Sequence, residues 1–429
     1  MKVAMVSEHA SPLATLGGVD AGGQNVHVAE LARGLGALGH EVTVYTRRER
    51  AGVADEVAFA PGVTVVHVPA GPPVRVAKDD LLPLIPEFGR WLRDHWTLRP
   101  PDIVHSHFWM SGLAALSAAG DLGVPVTHTF HALGVVKRRH QGGDDTSPEW
   151  RIGAESAVAR GVARVIATCG DEVTELINMD VPRQSIRVVP CGVDSARFSP
   201  IGRSAPRQSA RRLLSIGRLV PRKGVATAID ALPRIPDAEL IVAGGPPAYA
   251  LDHDPEVRRL RLLAREAGVA DRVRFAGQVH HDDVPVLMRS ADVALCLPWY
   301  EPFGMVALEA MACGLPVVAS EVGGQAETVI SGVTGTLVPP RDPRAVADAV
   351  NALLDDPTRL DAYGFAAAER ARVRYNWARI TAETCAVYEE VLRERRGAPF
   401  RLVPDTLEER RRVASRRGNA GRRPRPARR

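Results

Sequence analysis

Residues 293–320 read VALCLPWYEPFGMVALEAMACGLPVVAS, and this segment is the clearest indication of how the chain folds. The first residues, up to Pro298, form a short apolar run that is typical of a buried strand. A loop with the letters EPFG follows, then a helical pattern from Met305, and then a second apolar run that ends at Ser320. A strand, a helix and a strand in this order predict a parallel pair joined by a crossover helix, the unit of an α/β fold.

The same alternation continues on both sides of this segment. Strand-like runs rich in Val, Ile and Thr include KVAMVS, EVTVYT, VTVVHVP, DIVHSHF, VPVTHTF, RVIATC, IRVVP, RRLLSIGRL, AELIVAGG, VRFAGQV and GTLVPP. Near residues 193–209 the pattern gives way to Pro, Ser, Gly and Arg, which indicates a domain boundary. The sequence therefore predicts an α/β protein with two doubly wound, Rossmann-like domains, each with a parallel sheet covered by helices on both faces.

The predicted boundaries follow from this pattern. We expect an N-terminal domain over residues 1–195 and a C-terminal domain over residues 210–379. A last helix, near residues 380–396, is expected to pack back on the first domain, and residues 397–429 are expected to form a basic disordered tail. Ligands bind outside the carboxyl ends of the strands in such sheets, so the site should lie in a cleft between the two domains.

Composition excludes several classes of protein. The chain has 429 residues, of which 45% are hydrophobic and 24% charged, as in ordinary globular proteins. No apolar run reaches the roughly 18 residues of a membrane-spanning helix, and Glu8 and His9 come too early for a secretory signal. The five cysteines form no C-x-x-C pair, which argues against a disulfide framework or a zinc ribbon. We expect reduced thiols and a cytoplasmic location.

The positive charge of the chain is concentrated at its end. Between Arg410 and Arg429 there are ten arginines and no acidic residue, which leaves 45 of the 55 basic residues against 50 acidic ones in the rest. The body is therefore mildly acidic, and the tail has little apolar surface to bury. We expect a solvated extension and no nucleic-acid partner, while peripheral contact of the tail with anionic lipid stays open as the alternative.

Two segments have the composition of phosphate-binding loops. GGVDAGGQNVHVAEL, which begins at Gly17, lies between the first strand and the first helix, and Gly22 and Gly23 let the backbone approach a ligand closely. SIGRLVPRKGVATAI places Arg218 and Lys223 on a loop that opens a helix, which favours a diphosphate clamp without metal. An ordinary tight turn and an exposed basic turn remain the alternatives for these two segments.

The segment quoted first carries a pair of carboxylates. Glu301 lies in the loop and Glu309 lies about two turns into the helix that follows. Carboxylates accept hydrogen bonds from vicinal hydroxyls, so Glu301 is suited to a sugar and Glu309 to a ribose. The N–H groups of the intervening loop would face a diphosphate.

These three segments, in this order and spacing, resemble those of the retaining glycosyltransferases of family 4, which have the GT-B fold. The E-x7-E motif is the most specific mark of that family, and the resemblance covers roughly residues 1–395. It implies that Glu301 contacts the transferred sugar at the reaction centre. The remaining donor-binding positions that it implies are Gly22, Gly23, Arg218 and Lys223 for the diphosphate, the backbone of Phe303, Gly304 and Met305 for sugar and phosphates, and Glu309 for the ribose.

The resemblance also assigns residues in the first domain. THTFHALGVVK places His131 directly after a strand, where the family keeps a catalytic histidine against the donor sugar. Within the family, the N-terminal half resembles bacterial sucrose-phosphate synthases and the inositol-phosphate N-acetylglucosaminyltransferases of mycothiol synthesis. In the synthases the counterparts of Lys78, Lys137 and Arg151 hold the acceptor's phosphate, and the counterpart of Gln24 lies near its hydroxyls.

Two positions depart from the inositol-phosphate enzymes. Phe108 stands where they have a tyrosine, and Ala132 stands where they have a threonine, so two hydroxyl contacts to the acceptor would be missing. A phosphorylated acceptor fits this comparison better than inositol phosphate itself does.

The sequence thus predicts a retaining, metal-independent hexosyltransferase that uses a UDP-, GDP- or ADP-linked sugar as co-substrate and no other cofactor. The histidines near the strand ends lack the ligands and spacings of a zinc site, and the D-x-D at Asp252 to Asp254 is expected to be a solvated turn. Two alternatives remain: a nucleotide-sugar-binding regulatory protein without turnover, and a Rossmann-type dehydrogenase, although no G-x-G-x-x-G follows the first strand.

Overall fold

The computed structural model describes residues 1–14, 22–207 and 209–397. Within them the chain forms two sheets. The strands of the N-terminal sheet are β1 (Lys2–Val6), β2 (Glu41–Arg47), β3 (Glu56–Ala60), β4 (Val63–Val68), β5 (Ile103–His107), β6 (Val126–Thr129), β7 (Arg164–Ala167) and β8 (Ile186–Val188). The helices between them are α1 (Gly23–Ala37), α2 (Ile85–Leu98), α3 (Trp109–Ala119), α4 (Gly134–Gln141), α5 (Arg151–Gly161) and α6 (Gly170–Asn178).

The second sheet lies entirely in the C-terminal half. Its strands are β9 (Arg211–Ile216), β10 (Ala238–Ala243), β11 (Val273–Gly277), β12 (Val293–Cys296), β13 (Val317–Ser320) and β14 (Gly335–Val338). The helices that accompany and follow them are α7 (Val225–Ala231), α8 (Pro255–Glu266), α9 (Val284–Met288), α10 (Met305–Ala312), α11 (Gln325–Thr328), α12 (Pro343–Leu354), α13 (Pro357–Arg374) and α14 (Trp377–Gly397).

The strand orders are those of doubly wound sheets. The N-terminal order is β3-β4-β2-β1-β5-β6-β7-β8 and the C-terminal order is β11-β10-β9-β12-β13-β14. β1 pairs in parallel with both β2 and β5, since Val3 lies opposite Val42 on one side and Ile103 on the other. The first sheet is not wholly parallel as predicted, because β3 pairs antiparallel with β4 at its edge. The two strands are separated only by Pro61 and Gly62, a connection too short for a parallel crossover.

Alternation along the strands divides the interior. On β1, Val3 and Met5 pack in one apolar cluster and Ala4 and Val6 in another, because successive side chains point to opposite faces of a sheet. On β9, Leu213 and Leu214 divide in the same way between two clusters of the C-terminal half. Both sheets are therefore covered by helices on both faces.

The last helix of the described chain, α14, returns to the N-terminal half. It begins at Trp377, three residues before the expected range, and Trp377, Ile380 and Tyr388 belong to the same apolar cluster as β1 and α1. Glu390 accepts from Arg187 Nε at 2.9 Å and fixes the helix on the edge of the sheet. Of the predicted tail, residues 397–429, Gly397 instead ends α14, and residues 398–429 lie outside the described residues.

Two smaller features also bear on the sequence predictions. Asp254 caps α8, because its carboxylate accepts from Val257 N at 2.9 Å, and Asp252 pairs with Arg261. The D-x-D segment is therefore the end of a 3-10 turn and a helix cap. No helix among the described residues combines the length and the apolar character needed to span a bilayer.

Candidate active site

The carboxyl ends of the two sheets face each other across a cleft. Contacts cross it directly: Gln141 Nε2 donates to Tyr300 Oη at 2.9 Å, and the thiol of Cys169 donates to Pro302 O at 3.3 Å. A cavity of about 230 Å³ lies between the halves, and its lining includes His131 and Glu301. A larger cavity of about 490 Å³, beside α13, contains none of the predicted site residues.

Glu301, in the loop after β12, is held by a cation. Lys223, which ends the 3-10 turn after β9, forms a hydrogen-bonded ion pair with its carboxylate. Burial alone would raise the pKa of Glu301, but the charge and hydrogen bond of Lys223 outweigh it and the pKa lies below its ordinary value. Glu301 is therefore ionised at neutral pH. The ammonium predicted to bind diphosphate already has a carboxylate partner in the unliganded protein.

The loop after Glu301 turns sharply into α10. Gly304 has φ 93°, which a residue with a side chain rarely adopts, and a Cβ there would come within 2.6 Å of Gln325 Cγ. The turn lets Met305 begin α10, and no side chain of the N-cap residue accepts from the first N–H groups of the helix. α10 therefore presents the positive end of its dipole to a ligand.

Glu309 lies one turn further along α10. Its carboxyl group has no hydrogen-bond partner within the described part of the chain, and burial raises its pKa to about 8. A carboxyl group without partners in this position is available for ligand hydroxyls. It differs sharply from Glu301, because the two glutamates of one motif have opposite pKa shifts.

The glycine loop of the first domain approaches the same helix. Gly22 caps α1 and Gly23 is its first residue, and a Cβ on Gly23 would lie 3.4 Å from Met305 Cγ. Arg218 follows β9, and its charge helps to lower the pKa of Glu301. The structure thus gathers the predicted donor-binding positions around one end of α10.

The three cations predicted for the acceptor lie together on the N-terminal side. Lys78 Nζ and the Arg151 guanidinium lie 5.1 and 5.2 Å from the ring centre of Phe108, and both Lys137 Nζ and Arg151 Nη1 donate to Ser147 Oγ. The pKa of Lys78 is lowered, first by burial and then by the charge of Arg151. The cluster is partly compensated, since Glu155 pairs with Arg151 and Asp145 with Lys137.

Gln24 and His131 lie beside this cluster. Gln24 Nε2 donates to Ser7 Oγ at 3.2 Å and to His107 O at 3.3 Å, which fixes its amide at the cleft end of α1. His131 has φ 60°, and Phe108, at the end of the neighbouring strand, has φ 78°. Both are strained conformations for residues with side chains, and such strain concentrates at functional sites.

Burial keeps the imidazole of His131 neutral. Its pKa lies well below the ordinary value because burial disfavours the charged form and because His27 and His105 lie nearby. Its ring contacts a second histidine, His107, whose Nδ1 lies 3.0 Å from His131 Nε2. Sequence reasoning did not give His107 a role: the HSHF pattern was visible, but its pairing with His131 depends on the register of β5 and β6.

Comparison with known proteins places this arrangement in a family. The family model "Glycosyltransferase Family 4" matches residues 21–197, and "Glycosyl transferases group 1" matches residues 202–370. D-inositol 3-phosphate glycosyltransferase 2 of Catenulispora acidiphila is 38% identical over 419 residues, which cover 93% of this chain and 97% of that protein. The chain belongs to glycosyltransferase family 4. The family predicted from the sequence is confirmed.

Other members support the same assignment. D-inositol 3-phosphate glycosyltransferase of Acidothermus cellulolyticus is 37% identical, and the alignment covers 92% of each chain. The solved sucrose-phosphate synthase of Thermosynechococcus elongatus is 32% identical, covers 92% of this chain and 99% of its own, and superposes with a TM-score of 0.84. HepE of Anabaena, solved with UDP and glucose, has a TM-score of 0.70 at 22% identity and supports the fold alone. This glycosyltransferase therefore has the predicted GT-B fold, and the dehydrogenase alternative is wrong.

Proposed function

We propose that this glycosyltransferase moves a hexosyl group from a nucleotide-diphosphate sugar to a phosphorylated polar acceptor, with retention of configuration and without a metal ion or other cofactor. The observation that supports the acceptor class is the convergence of Lys78, Lys137 and Arg151 beside His131. Their roles, and those of the donor-binding residues, are part of the proposal.

The cation cluster is suited to an anion that carries more than one charge. Lys78 is partly buried beside Arg151, and both the burial and the charge of Arg151 lower the pKa of Lys78. Loss of the Lys78 proton, or pairing of its charge with an anion, would relieve the repulsion between the two cations. A phosphate pairs it and satisfies several donors at once. The printed names of the relatives, D-inositol 3-phosphate glycosyltransferase and sucrose-phosphate synthase, each contain a phosphate ester.

The donor half supplies positive charge without a metal. In this proposal Arg218 and the N-terminal end of α10 bind the diphosphate, and the close approach of Gly23 to Met305 supports a role for the glycine loop at the same end of α10. Glu301 accepts hydrogen bonds from the hydroxyls of the transferred sugar, and Glu309 from those of the ribose. When the bond between the sugar's anomeric carbon and the diphosphate breaks, Arg218 and the N-terminal end of α10 stabilise the negative charge that develops on the leaving oxygen.

Retention follows if the acceptor attacks from the face that the diphosphate leaves. The new bond joins the acceptor oxygen to the anomeric carbon, and the proton of the acceptor hydroxyl passes to the departing diphosphate oxygen. No enzymic base is required. We propose Glu301 as a sugar ligand and not as a nucleophile, because its ion pair with Lys223 makes the carboxylate a weak nucleophile.

A test of the acceptor class compares a phosphorylated acceptor with its dephosphorylated form. We expect the acceptor KM in Lys78→Ala and Lys137→Ala to rise about 10- to 100-fold, as loss of a charge-assisted hydrogen bond implies, while the donor KM changes little. Arg138→Ala is the control, because Arg138 is adjacent to Lys137 in the same basic run, but its side chain is 40% exposed and its Nε lies 3.9 Å from Asp145 Oδ2.

The control distinguishes specific binding of the phosphate from general attraction by surface cations. If Arg138→Ala raises the acceptor KM as much as Lys137→Ala does, the effect is general electrostatic attraction and the proposed site is wrong. Equal kcat/KM for the two acceptors would also contradict it. A thermal-shift screen with UDP-, GDP- and ADP-sugars identifies the donor first, since a bound ligand raises the melting temperature.

A further inference from the structure

The contact between His107 and His131 raises a question of proton placement. His107 Nδ1 and His131 Nε2 are 3.0 Å apart, so exactly one of these nitrogens carries the hydrogen of the bond. Burial lowers the pKa of both rings well below the ordinary value, so each ring is neutral and has a single N–H. The choice at this contact therefore determines the tautomer of both rings.

The other nitrogen of His107 decides between the two arrangements. His107 Nε2 is buried and has no hydrogen-bond partner among the described residues. If His131 donated, the only hydrogen of His107 would lie on this nitrogen, as a buried N–H without an acceptor. If His107 Nδ1 donates, Nε2 holds only a lone pair, and an unpaired buried acceptor is tolerated better than an unpaired N–H. The second arrangement is favoured.

The surrounding network leaves this assignment undisturbed. Thr129 Oγ1 donates to Ile166 O at 3.1 Å, so it accepts from His105 Nε2, and His105 Nδ1 accepts in turn from Tyr388 Oη at 2.7 Å. His105 is thus satisfied at both nitrogens and does not compete for His107, although the two ring centres are 4.1 Å apart. The hydroxyl of Tyr388 reaches this network from α14.

A neighbouring histidine shows the same pattern. Ser106 Oγ donates to Thr127 O at 3.3 Å and therefore accepts from His128 Nδ1 at 2.8 Å. His128 Nε2 is then a buried lone pair without a partner, as inferred for His107. His107 on β5 and His128 on β6 thus share one arrangement, in which Nδ1–H donates and Nε2 has no partner among the described residues.

We propose that His107 is a positioning residue that holds His131 as its Nδ1–H tautomer. His131 Nε2 is occupied as an acceptor, so its only hydrogen lies on Nδ1, which has no partner in the described chain and belongs to a side chain lining the cavity of about 230 Å³. His131 therefore presents a hydrogen-bond donor to the transferred sugar and has no free lone pair for use as a base. This inference rests on the proposed function for the identity of the ligand only.

The tautomer can be measured without turnover. In protein labelled with ¹⁵N-histidine, protonated and bare ring nitrogens have well-separated shifts, and His131→Asn assigns the His131 signals by their loss. We expect His131 to be protonated at Nδ1 and His107 also at Nδ1. Protonation of His131 at Nε2 overturns the proposal, whether or not the protein is active with any sugar nucleotide.

Substitutions then test the consequence for the reaction. His107→Asn keeps an amide N–H near the position of Nδ1, whereas His107→Leu removes it. We expect kcat to fall about 10- to 100-fold in His107→Leu, as for a misplaced reacting group. In His107→Asn we expect kcat to stay close to the wild-type value. The KM for the donor should change little in both variants. Equal kcat in the two variants, or a change in donor KM alone, overturns the positioning role. If His107→Leu does not fold, His107→Asn and the wild-type tautomer still decide the matter.

Discussion

The ionised form of Glu309 is disfavoured in the unliganded protein. Its carboxyl group has no hydrogen-bond partner among the described residues, and burial raises its pKa to about 8. An ordinary glutamate in the unfolded chain titrates near pH 4.5, so between these two values the folded protein binds a proton that the unfolded chain does not. Stability from this residue therefore falls as the pH rises through that window. A local loss of folding stability of this kind is typical of residues in binding sites.

The pH dependence of donor binding follows from the same carboxyl group. If the ribose hydroxyls bind the ionised form, binding must remove the proton, and the affinity for the sugar nucleotide should rise from pH 6 to pH 8. Glu309→Gln should bind more weakly at pH 8 and show no such rise, and Glu309→Ala should lose about 1.5–3 kcal/mol. Calorimetry checks this, with the sugar nucleotide in place of the free nucleotide, whose terminal phosphate titrates near pH 6.

A flat pH profile in the wild type would mean that the neutral carboxyl group binds the ribose. Unchanged affinity of Glu309→Ala for both the nucleotide and the sugar nucleotide would remove the ribose role altogether.

The sequence predicted which residues belong to the candidate site, but not how they contact one another. Glu301, Glu309 and Lys223 were found because a motif gives their order, but the ion pair of Lys223 with Glu301 joins residues 78 positions apart in the chain. The opposite pKa shifts of the two glutamates depend on which one has a cation beside it. His107 and Tyr388 escaped prediction for a similar reason, since their contacts are set by strand register and by the return of α14.

At the scale of elements, the turn into α10 is the most constrained part of the site. Gly304 combines a positive φ with a close approach to Gln325, the first residue of α11. The position of α10, the helix proposed to bind the donor, therefore depends on packing between two short elements and on one residue without a side chain.

Gly304→Ala should weaken donor binding and lower stability. The positive φ alone costs about 1–2 kcal/mol for a residue with a Cβ, and the approach of 2.6 Å to Gln325 Cγ adds strain that can be relieved only by moving α10 or Gln325. Gly268→Ala is a matched control, because Gly268 has φ 68° and no atom within 4 Å of the added Cβ. Thermal melting and donor titration compare the two.

The comparison has a clear negative outcome. If both variants lose the same stability and neither loses donor affinity, only the backbone conformation matters and the turn does not position the site.

The elements themselves were largely predictable, because runs of Val, Ile and Thr mark the buried parallel strands. The edge strand β3 was missed: its sequence, EVAFA, is short, and its antiparallel pairing places it outside the βα repeat. The end of the chain was predicted to return to the first domain, and α14 does pack against α1.

At the scale of the whole molecule, positive charge is concentrated on both sides of the cleft. Arg218, Lys223 and the N-terminal end of α10 supply positive charge on the donor side, and Lys78, Lys137 and Arg151 supply it on the acceptor side. Within the described residues no three His, Cys, Asp or Glu side chains gather in a way that could hold a metal ion.

Chelation should leave the turnover rate unchanged. We expect equal initial rates before and after dialysis against EDTA, measured as release of the nucleotide diphosphate, because Arg218 and the helix dipole stabilise the leaving group. A loss of activity that Mg²⁺ or Mn²⁺ restores would contradict the prediction. The metal would then be expected to bind as a complex with the donor.

The basic end of the chain gives the last prediction. The ten arginines between Arg410 and Arg429 come with no aromatic residue, and the only larger apolar side chain there is that of Val413, so this segment has little area to bury against the body. A chain that ends after Glu409 lacks only this segment, keeps all of α14 and should retain its melting temperature and kcat. Co-sedimentation with vesicles of anionic lipid, in full-length and shortened protein, tests the remaining role: binding lost with the tail and weakened by salt would assign it to a membrane surface. A large fall in melting temperature or kcat on truncation would instead show that these residues pack on the enzyme.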